Sequence, residues 1–251
     1  MESLMKENKQ ILLEAINLTK RYEDGVTALN AVSFSVSEGE IYAMLGGNGA
    51  GKTTAINLFL NLIEPTEGEA RINGIVTHKE PLEAKKHVAF VSENVMLYNN
   101  FTAIQNLDYF ARLGGKNGLS KAGYHNALLK VGLQEEAHHR KLKTFSKGMR
   151  QKCGIAIAIL KNAGAIILDE PTSGLDPQAG YEFSKLLVEL KNEGKAVLMS
   201  THDIFRAKEI STTIGIMNKG NLVMQKPGTE LIGEDLEKLY LEYMAGYQQA
   251  G

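Results

Sequence analysis

The run Gly46-Gly47-Asn48-Gly49-Ala50-Gly51-Lys52-Thr53 has the spacing G-x-x-x-x-G-K-[ST] of a phosphate-binding loop. Glycines let the backbone curl until successive N–H groups point inward at phosphate oxygens. A helix opening at the end of the loop adds the positive end of its dipole. Lys52 can reach the β- and γ-phosphates of a nucleoside triphosphate, Thr53 can place its hydroxyl on Mg²⁺, and Thr54 carries the run into the helix. With glycine at about 7% of residues, chance gives such a match on the order of once in a hundred chains of this length.

A second set of reactive side chains lies far along the chain. Ala165-Ile166-Ile167-Leu168 leads into Asp169-Glu170. A buried strand ending in two acids puts them at the carboxyl edge of a sheet, where doubly wound folds bind ligands. Asp169 can hold Mg²⁺, usually through water, and Glu170 is placed to orient or deprotonate an attacking water. Ser200-Thr201-His202 closes the next apolar run, so His202 falls on the same edge and can donate to a γ-phosphate.

These groups need a frame, and hydrophobic patterning supplies one. Ile41 to Leu45 reads as a buried strand before the loop, and Ala55 to Leu60 as a helix after it. Ile11 to Thr19 and Val26 to Val36 are strand-like around the polar turn Glu23-Asp24-Gly25. A short strand near Gly68 to Ile72 stops at Asn73-Gly74, and Val88 to Val91 is another buried strand. From about Asn94 to Asn162 strand signals vanish. Ile104 to Leu113, Tyr124 to Val131 and Gly148 to Leu160 carry helical spacing. Strands return at Ala165 and Ala196, separated by a helix from Gln178 to Glu193. Ile214 to Met224 reads as a hairpin around Asn218-Lys219-Gly220-Asn221. In the tail, Leu236, Leu239, Tyr240 and Tyr243 share one helical face, which suits a helix packed back on the core. The expectation is one domain over 1–251, with a core at about 1–93 and 163–230, a helical lobe at about 94–162 and a tail at about 231–251.

Composition narrows the function classes. The chain has 251 residues, with 28 basic against 29 acidic side chains. That balance argues against a partner bound by bulk positive charge, so no nucleic acid is expected. The single cysteine, Cys153, excludes an internal disulfide and a Cys-cluster metal site, and reads as a buried apolar residue in a reducing compartment. No apolar run approaches a membrane span, and the polar N-terminus has no signal-peptide core.

Taken in order, Tyr22, the phosphate loop, Glu93, Phe145-Ser146-Lys147-Gly148-Met149-Arg150-Gln151, Asp169-Glu170, Ser173-Gly174-Leu175-Asp176 and His202 resemble the nucleotide-binding domain of ATP-binding cassette (ABC) ATPases, over about Ile11 to Gln225. The most specific part is the signature segment ahead of the Asp169-Glu170 strand. The resemblance implies an α/β fold: a P-loop NTPase core with a mixed sheet, an N-terminal antiparallel β subdomain and an inserted α-helical lobe. It implies ATP and Mg²⁺, and two cassettes facing head to tail around two ATP molecules. Tyr22 would stack on adenine. Ser146 and Gly148 would touch the γ-phosphate held by the other subunit, and the free N–H groups opening the following helix suit an anion. Asp176 would close the loop that reports across the interface, Glu93 would contact nucleotide and Mg²⁺, Glu170 would be the catalytic base and His202 the switch histidine.

The chain departs from the family pattern Leu-Ser-Gly-Gly-Gln. Phe145 stands for leucine, Lys147 for the first glycine and Met149 for glutamine, while Glu93 stands where glutamine is usual. Such variants resemble cassettes that pair with separately encoded permeases, often exporters of the ABC-2 type. The resemblance therefore implies a motor subunit, an ATPase paired with a second copy and held on the cytoplasmic face of the cell membrane by a transmembrane permease. Residues 94–107, directly after Glu93, would line the groove that receives it. The competing reading is a soluble ABC ATPase of translation or DNA repair. Translation types usually carry two cassettes in one chain, and repair types separate loop and signature by a long coiled coil; neither feature is present.

Overall fold

The computed structural model describes residues 9–246; residues 1–8 and 247–251, the ends of the expected domain, lie outside the described residues. The first half runs β1 (Ile11–Arg21), β2 (Thr27–Ser37), β3 (Ile41–Leu45), α1 (Lys52–Phe59), β4 (Glu67–Ile72), β5 (Ile75–Val76), α2 (Pro81–Lys86) and β6 (Val88–Val91). Helices follow: α3 (Ala103–Leu113), α4 (Lys121–Lys130), α5 (Glu135–His138) and α6 (Lys147–Lys161). The chain then returns through β7 (Ala165–Asp169), α7 (Pro177–Asn192), β8 (Ala196–Thr201), α8 (Ile204–Ile210), β9 (Thr213–Asn218), β10 (Asn221–Pro227) and α9 (Leu236–Gly246).

Two sheets result. An antiparallel sheet has the order β2-β1-β4-β5, and a mixed sheet the order β10-β9-β3-β8-β7-β6. Within the mixed sheet β6, β7, β8, β3 and β9 are parallel, and β10 runs against β9. All five residues of β3 are buried, because both faces of this strand are covered. Its alternate residues divide the core. Ile41, Ala43 and Leu45 pack with the helices of 103–210, whereas Tyr42 and Met44 pack with β1, β2 and α1. This alternation puts the helical segment and the antiparallel sheet on opposite faces of one central sheet.

Packing is close enough to dictate residue types. The buried Tyr42 ring stacks on Phe34 with centroids 4.8 Å apart, and its hydroxyl donates to Gln225 Oε1 at 3.1 Å. A Cβ at Gly215 would collide with that hydroxyl, so only glycine fits the facing position on β9. The hairpin of β9 and β10 turns through Lys219 and Gly220, both at positive φ, as a two-residue primed turn requires.

Three helices escape the hydrophobic pattern, the four-residue α5 and two more. The six-residue α2 buries only Ala84, and the seven-residue α8 buries only Ala207 and Ile210. Neither is long enough to show a stripe. Their readable signals are terminal: Pro81 opens α2, and Asp203 caps α8 by accepting from the Arg206 N–H. In the tail, a 3₁₀ turn over Gly228–Leu231 comes before α9, so the helix starts later than Leu231.

Candidate functional site

The phosphate loop joins β3 to α1. At its end Gly51 has φ 106°, and a Cβ there would lie 2.5 Å from the Ala28 carbonyl oxygen. Only glycine allows the loop to pass this close to β2. No side chain caps α1, so the first-turn N–H groups are left for an anion. Lys52 is buried, and its Nζ donates to the carbonyls of Gly46 (2.5 Å) and Gly47 (3.3 Å). The same ammonium lies 3.2 Å from Glu170 Oε1. The cation is thus held over the loop, beside the acid from β7.

The carboxyl ends of β7 and β8 build the facing wall. Asp169 pairs with Ser200 in parallel register. The fully buried Ser200 hydroxyl donates to Asp169 Oδ1 and accepts from the Glu170 N–H at 3.0 Å. Asp169 Oδ2 faces Thr53 Oγ1 at 3.5 Å. Glu170 has φ 46°, a left-handed conformation that costs a non-glycine residue about 1–3 kcal/mol. This backbone turn lets one carboxylate meet two partners: Oε1 faces Lys52, and Oε2 lies 2.8 Å from His202 Nδ1. An acid so aligned, a strained backbone and a histidine in contact suit proton transfer to or from a bound water.

A cleft of about 530 Å³ opens between these walls, lined by Val26–Ala28, Gly47–Thr54, Glu93, Asp169, Glu170 and Lys219. It brings together Gly47–Thr54 of the phosphate loop, the two acids and Glu93, while Gly46 is buried and outside the lining. His202 lines the adjoining groove with Glu170, Ser173 and Gly174. Tyr22 is exposed and lies outside the cleft lining, next to the turn that delivers Val26. Ser146, Gly148 and Asp176 also lie outside it. Ser146 caps α6 by accepting from the Met149 N–H, and Asp176 caps α7 by accepting from the Ala179 N–H. Glu93 turns its carboxylate toward Ser173 Oγ (2.9 Å) and Lys147 Nζ (3.4 Å). The Ser173 hydrogen bond and the Lys147 charge hold its carboxyl below the usual carboxylate range.

The donor set fits a hard cation with a triphosphate. Thr53 Oγ1 and Asp169 Oδ2 face one another across the cleft floor. Among the described residues no group of three or more His, Cys, Asp or Glu could hold a metal. Mg²⁺ needs no such cage, since it keeps waters and shares substrate phosphates.

Several contributors are absent from any motif. Ser200 positions both acids, yet only the neighbouring of β7 and β8 reveals it. Val26–Ala28 and Lys219 reach the cleft because β2 and the β9–β10 turn pass the loop. In α9, Tyr240 packs against the core with Leu239 and Tyr243, and its hydroxyl lies 3.9 Å from where a Gly47 side chain would begin. Leu236 is buried, so this face of the tail helix does pack back.

Three comparisons bear on this geometry. Residues 29–173 match the family model described as ABC transporter. The bacitracin transport ATP-binding protein of Enterococcus faecalis is 38% identical over 224 residues, covering 88% of this chain and 71% of that protein. An ATP-binding subunit of an ABC transporter aligns with TM-score 0.80 at 32% identity, over 92% of this chain and 99% of that one. A dimeric ATP-binding cassette in a post-hydrolysis state, bound to ADP and phosphate, aligns with TM-score 0.78 at 29% identity, over 86% and 98%.

Proposed function

The chain belongs to the ABC transporter family, and on that premise we propose that it is the ATP-hydrolysing motor subunit of an exporter, working as a head-to-tail pair. One observation carries this reading: the phosphate loop, Asp169 and Glu170 share a cleft that Ser146 and Gly148 of the same chain do not line. Each chain offers one half of a site, and a second copy completes it.

In the proposed site the loop N–H groups and the α1 terminus hold the phosphates, and Lys52 moves from its carbonyl partners to the β- and γ-oxygens. Thr53 and Asp169 would hold Mg²⁺, which would supply charge neutralisation on the transferred phosphoryl group. Glu170 takes the proton of the attacking water, and His202, anchored on the Glu170 carboxylate, faces the γ-phosphate. Tyr22 offers its exposed ring to adenine. Ser146, Gly148 and Asp176 face the partner copy.

Among the described residues no helix is long and apolar enough to cross a membrane. A transmembrane permease is therefore the proposed second partner, holding the pair on the cytoplasmic face. Its docking surface is the groove beside residues 94–107, where Tyr98 and Phe101 are exposed against Tyr109. In this division 94–162 is the helical lobe and 1–93 with 163–230 is the core. The Enterococcus faecalis relative is named for bacitracin transport, and export is the proposed direction.

The deciding experiment compares ATP turnover and assembly of the wild type and Glu170→Gln. Turnover should fall by about 10²–10⁴-fold, the usual share of a general base, while light scattering shows an ATP-dependent dimer. Equal turnover in both proteins would remove Glu170 from the role.

A further inference from the structure

Glu93 and Lys147 are 54 positions apart in sequence and sit on different segments, the exit of β6 and the first turn of α6, yet they meet. Lys147 Nζ lies 3.4 Å from Glu93 Oε1, and Ser173 Oγ donates to the same oxygen at 2.9 Å. The main chain is tied in parallel. Gln151, fully buried one turn further along α6, donates from Nε2 to the Glu93 carbonyl at 2.7 Å. Lys147 and Gln151 are spaced i, i+4 and so share a helix face. That face grips Glu93 at both its side chain and its backbone. Lys147 also lies along the loop after β7, with Nζ 3.6 Å from a Cβ position at Gly174.

The charges have a consequence for the cleft. Glu93 lines it, and an uncompensated carboxylate there repels a triphosphate. An ammonium on the turn that begins with Ser146 and contains Gly148 cancels this repulsion. It does so with the turn held against the exit of β6 through Gln151.

We propose that Glu93 and Lys147 form one electrostatic unit, in which Lys147 is a positioning residue: it neutralises Glu93 at the cleft edge and fixes the Ser146–Gly148 turn for the partner copy's nucleotide. The two departures from the family pattern, an acid at 93 and a base at 147, are then one paired change. The inference rests on the reading that a second chain completes the site.

A double-mutant cycle tests it. Lys147→Met, Lys147→Arg, Glu93→Gln and the Glu93→Gln/Lys147→Met pair are each made in the Glu170→Gln background. ATP-dependent dimerisation is followed by light scattering, and thermal unfolding is measured without nucleotide. Lys147→Met should weaken dimerisation up to about fivefold, the range of a partly exposed ion pair, and Lys147→Arg should restore it. In the Glu93→Gln background, Lys147→Met should cost nothing further. Without nucleotide, the two single substitutions should shift the melting temperature non-additively, and added salt should erase the difference. An equal cost of Lys147→Met with and without Glu93→Gln overturns the pairing, as does an Arg variant as impaired as the Met variant. If Glu170→Gln alone fails to dimerise with ATP, the two-chain reading falls instead.

Discussion

The cleft wall at β3, β7 and β8 and the tip of α6 are built to opposite rules. At the wall, the charged groups that carry the proposed chemistry have partners within their own chain. Lys52 is spanned by two carbonyls and Glu170, Asp169 is held by Ser200, and Glu170 is held by Lys52 and His202. Asp169 and Ser200 stand on paired parallel strands, and Glu170 and His202 just past the strand ends, so sheet register sets their spacing. At the α6 tip, Ser146 caps its own helix and the turn is gripped from behind by Glu93 and Gln151. Ser146 and Gly148 lie outside the lining of the triphosphate cleft. On the proposed reading, a rigid half-site and an outward-facing half-site on one molecule would make ATP the adhesive between two molecules.

The largest expected effect comes from breaking the rigid half. Lys52→Ala removes the ammonium placed over the loop carbonyls and should abolish measurable ATP binding by calorimetry. Mixing then tests the division itself. Lys52→Ala chains keep an intact α6 tip, and Ser146→Arg chains keep an intact loop. Each is expected to be inactive alone. Mixed, they can form one intact composite site per heterodimer, so a substantial part of wild-type turnover should return. If no activity returns, both halves of the site lie in one chain.

A smaller effect is expected from the support beneath the wall. Ser200→Ala leaves Asp169 Oδ1 and the Glu170 N–H without their shared hydroxyl. Losing a hydrogen bond to a charged group costs about 1.5–3 kcal/mol, so turnover should fall by roughly 10- to 100-fold with the fold intact. ATP affinity should change much less, because the phosphate contacts sit on the loop. A large loss of affinity with turnover per bound ATP unchanged would show that the wall positions phosphate and not the acids.

What the sequence reveals differs between the two regions for the same physical reason. The loop is contiguous, so Gly46 to Thr54 could be read as a unit, and the apolar run before Asp169-Glu170 marked a buried strand end. The central strands were legible because burial on both faces writes an unbroken apolar run, as in Ile41 to Leu45. Ser200 was not legible as a support for the acids: its role exists only because β8 lies beside β7. The grip of Lys147 on Glu93 was equally hidden. Each residue was visible as a departure from a pattern, but their contact depends on how α6 packs against β6. Tyr240 belongs to the same class, since a stripe on a tail helix indicates packing without saying against what.

The smallest effect sharpens the comparison by asking whether α6 moves as a body. Cys153, two turns into α6, is fully buried, and burial pushes its thiol up to about 12. The native thiol therefore stays protonated at pH 8, and a thiolate-selective alkylating reagent should leave it unmodified until denaturant is added. Between about pH 9 and 12 the unfolded chain releases this proton while the native chain keeps it. The native state then binds more protons, so stability must fall as pH rises. Cys153→Ala should flatten that alkaline decline. With ATP added at pH 8, labelling should remain silent, because the Ser146–Gly148 turn can reach a partner copy while the body of α6 stays docked on the sheet. Rapid ATP-dependent labelling of Cys153 would mean that the helix leaves the core, and the outward half of the site could no longer be treated as a fixed tip on a packed helix.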